Sequence, residues 1–94
     1  MTHLLIVRLT PTDYEAWRQH HVEQVEFMKA VGVVSDRICR DVSDSTKLVV
    51  VVEVDDIDRY MAAFASPEGQ AAAARAPLTG PPDFVVAEVI DTPF

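Results

Sequence analysis

Residues 47–55 read K-L-V-V-V-V-E-V-D, a strand pattern that is apolar on both faces. Side chains alternate across a strand, so Leu48, Val50, Val52 and Val54 line one face while Val49 and Val51 line the other. Two apolar faces need two covering layers, and a chain of 94 residues has helices enough for one. The simplest second layer is another copy of the same sheet, so the pattern predicts a homodimer. It leaves open which face meets the partner.

The same period of two predicts a first strand over 3–9, with Leu5, Val7 and Leu9 on one face and Leu4 and Ile6 on the other. Thr10-Pro11-Thr12-Asp13-Tyr14-Glu15 signals a helix start, Thr12 and Glu15 having capping-box spacing. One helix is expected to run from there to Ala30 or Val31, where Gly32 supplies the stop. Residues 33–41 form a more polar strand carrying Asp36, Arg37 and Arg40, which suits a sheet edge. The turn at 43–46 is short enough to make strands two and three an antiparallel hairpin. Asp55 or Asp56 caps a second helix with apolar positions Ile57, Tyr60, Met61 and Phe64. Ser66-Pro67-Glu68 restarts a helical stretch through the alanines of 70–76, and residues 84–90 form a last, apolar strand. The order is β-α-β-β-α-β over 1–94, a single α+β domain of ferredoxin-like type with a four-stranded antiparallel sheet.

Composition narrows the partners. A net charge of −7 lacks the basic stripe that nucleic acid requires, and it disfavours an anionic membrane surface. No apolar run is long enough to span a bilayer, and the start M-T-H-L-L-I-V-R reads as a strand, not a signal peptide. The lone Cys39 cannot form an intramolecular disulfide, which suits a reducing cytoplasm.

The candidate chemistry sits on the first helix. At about 100° per residue, Tyr14, Trp17, Val25 and Met28 share one stripe, flanked by Val22 and Val31. His21 falls near its centre, one turn after Trp17, and is expected to point at the sheet. His20 projects about 100° away, toward the edge marked by Phe27 and Val31. An imidazole on an apolar stripe is either a satisfied core residue or a base lining a cavity, and the pattern alone is compatible with both. Tyr14, Trp17, Tyr60 and Phe64 are the candidate aromatic walls of such a cavity. A metal is not expected: His20 and Glu23 are three apart on one face, as are Glu23 and Glu26, but no third convergent ligand appears.

The element order and the two-faced valine strand, with Tyr14-Glu15-Ala16-Trp17, Gly32-Val33, Phe64-Ala65-Ser66-Pro67-Glu68 and Gly80-Pro81-Pro82, resemble the dimeric α+β barrel superfamily. Within it, the chain is most similar to the small antibiotic-biosynthesis-monooxygenase-like proteins. The resemblance covers essentially the whole chain. It implies two sheets facing each other across a homodimer, with a pocket between helices and sheet in each subunit. It further implies an enzyme acting without a cofactor on a hydrophobic or aromatic, polyketide-like substrate. The reaction would be oxygenation or acid/base cyclisation, with His21 as base and Trp17 and Tyr60 orienting the substrate. The haem-degrading branch uses a histidine on the second helix, and residues 57–75 contain none. The alternative reading is a non-catalytic ligand-binding or accessory dimer.

Overall fold

The computed structural model describes residues 2–94. Four strands, β1 (His3–Leu9), β2 (Val33–Arg40), β3 (Leu48–Val54) and β4 (Asp83–Glu88), form one antiparallel sheet in the order β2-β3-β1-β4. The helices α1 (Tyr14–Glu23) and α2 (Val25–Ala30) connect β1 to β2, and α3 (Ile57–Ala65) and α4 (Pro67–Arg75) connect β3 to β4. This is the expected ferredoxin-like arrangement, with the polar strand β2 at one edge. No helix among the described residues is long and apolar enough to cross a membrane.

Two local expectations change. Asp13, not Thr12, caps the first helix, accepting the Ala16 N–H at 2.9 Å. Thr12 is drawn away because its N–H and hydroxyl both donate to the Pro77 carbonyl, tying the start of α1 to the exit of α4. The long first helix is also two helices. The Gln24 N–H bonds back to the His21 carbonyl at 3.0 Å, a tightened turn that separates α1 from α2 without glycine or proline. The second half follows expectation. Asp56 caps α3 and Ser66 caps α4 with Pro67 as its first residue, while Gly32, at φ +100°, ends α2.

Burial answers which face of β3 the helices cover. Leu48, Val50, Val52 and Val54 are at most 3% exposed and pack with Leu5, Leu9, Val33, Trp17 and Met28 as the core. Val49 and Val51, across from Arg8 and Ile6, lie on the opposite face and are only half-buried. Leu4, Ile6, Ala87 and the exposed Val85 continue that open face. The β2–β3 turn is braced by Asp41, which accepts from the Ser43 hydroxyl and N–H and from Arg8. Those bonds, Ser43 first, pull its carboxyl down to about 2.

The two helix pairs sit differently on the sheet. Trp17 of α1 and Met28 of α2 are buried, whereas α3 buries none of its side chains. α4 is held instead against the end of α3, through Gly69. A Cβ there would run into the Ala63 and Phe64 carbonyl oxygens. Gly69→Ala is therefore expected to push α4 off α3 and cost about 1–3 kcal/mol. A drop in urea midpoint with unchanged slope checks this; an unchanged midpoint contradicts the close contact.

Candidate functional site

Because α3 and α4 stand off the sheet, a cavity of about 430 Å³ remains between them, the sheet and the first helix pair. Leu5, Val7, Val50 and Val52 form its floor, and Ala72 and Ala73 of α4 form part of its roof. Phe64, Phe84 and Phe27, all partly exposed, stand in its wall, with the Phe64 and Phe84 rings 6.5 Å apart. Polar lining side chains are few: His20, His21, Gln24 and Tyr60. A mostly apolar chamber with a few convergent polar groups is the usual form of a small-molecule site.

Of the five residues singled out in the sequence, His21, Trp17, Tyr60 and Phe64 line this cavity. Tyr14 does not. It packs behind Trp17, ring centroids 6.4 Å apart, with the Arg40 guanidinium over its own ring, 6.0 Å from the centroid. Four residues along α1 from Trp17, the His21 imidazole stacks on the indole at 4.9 Å and 19°. Both histidines reach the one chamber, although they diverge around the helix. His20 does so from the side of Gln24 and Phe27.

The structure adds a residue that the sequence pattern left on a polar edge strand. Asp36 of β2 lies 2.6 Å from His21, Oδ2 against Nε2. Both side chains are largely enclosed, 15% exposed for His21 and 22% for Asp36. A register shift between Val33 and Ser35 puts Asp36 opposite Val52, on the helix-covered face. Ile38, two residues on and opposite Val50, was the available signal: alternation from an apolar Ile38 places Asp36 inward with it. Burial and, secondarily, the Asp36 charge raise the Tyr60 phenol above its usual value, so it stays protonated.

His3, which the sequence could not place, lies at the far end of β1. Its Nε2 is 3.8 Å from Glu88, outside the cavity lining. Among the described residues, no three histidine, cysteine or carboxylate side chains converge as a metal site.

No family model and no curated protein matches the chain by sequence. Solved structures do match in fold. SnoaB, a cofactor-independent oxygenase from Streptomyces nogalater, is similar with a TM-score of 0.78 at 18% identity, covering 98% of this chain and 96% of that one. Rv0793 from Mycobacterium tuberculosis has a TM-score of 0.74 at 18% identity, covering 100% of both chains. A candidate antibiotic biosynthesis monooxygenase from Nitrosomonas europaea has a TM-score of 0.74 at 16% identity, covering 95% of this chain and 90% of that one. At such identities the likeness establishes the fold.

Proposed function

We propose that this chain, whose fold is that of the antibiotic-biosynthesis-monooxygenase-like proteins of the dimeric α+β barrel superfamily, is a cofactor-independent enzyme acting on a hydrophobic, aromatic substrate. One observation carries the reading: an imidazole stacked on Trp17 and paired with Asp36 lines a mostly apolar chamber of about 430 Å³. A chamber of that size suits a ligand of a few fused rings.

The chemistry needs little from the protein. His21 takes the acidic proton of a bound phenol or enol, and the resulting carbanion is the electron source. Dioxygen adds to that carbon. The imidazolium returns its proton to the peroxide; the remaining C–H on that carbon and the O–O bond then break, water leaves, and a carbonyl remains, dioxygen having taken all four electrons. The apolar wall keeps bulk water from quenching the carbanion. Cyclisation by intramolecular aldol addition would use the same base on a folded substrate, without dioxygen.

The proposed assembly is a homodimer in which Leu4, Ile6, Val49, Val51 and Val85 cover the same face of a second copy. The free Cys39 suits a cytoplasmic setting.

Titration with polycyclic phenols, followed by Trp17 fluorescence and by oxygen uptake, tests the reading. Saturable quenching with oxygen consumption is the expected result. Quenching with a cyclised product and no oxygen uptake selects the aldol route. Absence of any binding removes the enzyme reading and leaves an accessory dimer.

A further inference from the structure

Asp36 and Tyr60 take no part in the proton transfer as stated so far, yet Asp36 contacts His21 and Tyr60 lines the same chamber. The Asp36 carboxylate has no proton to give, so the 2.6 Å contact requires the His21 Nε2 to donate. The proton of the neutral ring is then on Nε2, and Nδ1 keeps its lone pair. Neither Nδ1 of His21 nor the Tyr60 hydroxyl has a hydrogen-bond partner among the described residues. Neither is sealed off, since the buried, unpartnered side-chain polar atom found among those residues is His3 Nδ1. One free acceptor and one free donor therefore belong to side chains that line the same chamber.

We infer that Asp36 is a positioning residue that holds His21 with Nδ1 as the accepting nitrogen, and that Tyr60 donates its O–H to the substrate oxygen that gains charge. The inference rests on the enzymatic reading for the substrate, but its tautomer half stands without any ligand. Proton transfer balances within the site. The substrate proton goes to His21 Nδ1, the electron pair stays on the substrate as enolate or phenolate, and Tyr60 hydrogen-bonds the oxygen that bears it. The imidazolium formed is neutralised by Asp36, as in other carboxylate–histidine pairs. The raised Tyr60 phenol fits the donor role, because a hydroxyl kept protonated has a hydrogen to offer. His20, the other titratable ring in the lining, has no such carboxylate contact among the described residues, which makes His21 the ordered base of the two.

Nitrogen-15 NMR of the histidine rings tests the first half on the unliganded protein, at a pH where the rings are neutral. Wild type is expected to show His21 with Nε2 protonated and Nδ1 bare. In Asp36→Asn the side-chain amide can donate, so the ring is expected to switch to the Nδ1–H form. A bare Nε2 in wild type overturns the proposal, as does a well-folded Asp36→Asn with the tautomer unchanged.

The second half uses 4-nitrophenol, whose absorbance reports its ionisation. Wild type is expected to bind it as phenolate below its solution pKa. Asp36→Asn is expected to bind it as the neutral phenol, and Tyr60→Phe to shift its bound ionisation by about one unit toward the solution value, the effect of one hydrogen bond to a charged oxygen. Equal ionisation in wild type and Tyr60→Phe overturns the donor role. No binding by wild type, with the expected tautomer intact, defeats the substrate-binding reading and the Tyr60 role while leaving Asp36 as the group that orients His21.

Discussion

Val50→Glu is expected to unfold the protein, while Val51→Glu, one residue along, is expected to split a dimer into folded single chains. Val50 is 3% exposed in the core beneath the helices, with no cation among the buried residues there. An unpaired carboxylate in such a place costs several kcal/mol even after relaxation. A domain of this size has only about 5–15 kcal/mol in total. Val51 faces the open side, half-buried in the single chain, and Arg37 lies directly opposite on β2. A glutamate there has a cross-strand partner and water in the separated subunit. Between two facing sheets it would bring two carboxylates, one from each copy, into a layer shut off from water, where the desolvation of each opposes pairing. Sedimentation and circular dichroism separate the outcomes. Folded Val50→Glu would contradict the helix-covered core, and a dimeric Val51→Glu would show that the open face is not the interface.

His21→Phe is expected to lower turnover by about 10²–10⁴-fold, the usual contribution of a general base, while leaving the fold in place. Phenylalanine keeps a flat ring over Trp17, so the stacked contact at 4.9 Å survives in kind. The loss to stability is the bond to Asp36. A hydrogen bond to a charged group is worth about 1.5–3 kcal/mol. Asp36 keeps access to water, its side chain being 22% exposed, which puts the expected cost at or below the lower end. For a chain of 94 residues, about 1 kcal/mol corresponds to a fall of about 4–8 °C in Tm. A thermal scan alongside an oxygen-uptake assay reads both. Unfolding before loss of turnover would make His21 a core residue whose pairing with Asp36 serves only packing.

Much of this fold was legible because alternation and capping are local. The two faces of β3, the hairpin to β2, and the Asp56 and Ser66 caps each depend on residues within a few positions of one another. The stripe that aims Trp17 and His21 inward is local as well, a matter of helical period. The Asp13 cap was less legible, since Thr12 is claimed by Pro77, a carbonyl 65 residues away, and the break at Gln24 carries no glycine or proline to mark it.

Taken by itself, the sequence determined which side chains share a face and that one helix carries an inward-pointing imidazole. Periodicity is a property of the backbone, and it needs no partner strand. Tertiary structure decided what those faces meet. The pairing of β2 with β3, with its register shift after Val33, turned Asp36 toward His21 instead of toward solvent. The stand-off of α3 and α4 from the sheet left a chamber where close packing would have left a filled core. Both are consequences of contacts between segments distant along the chain: alternation from Ile38 turns Asp36 inward, but only the packing of α1 on β2 brings it to His21.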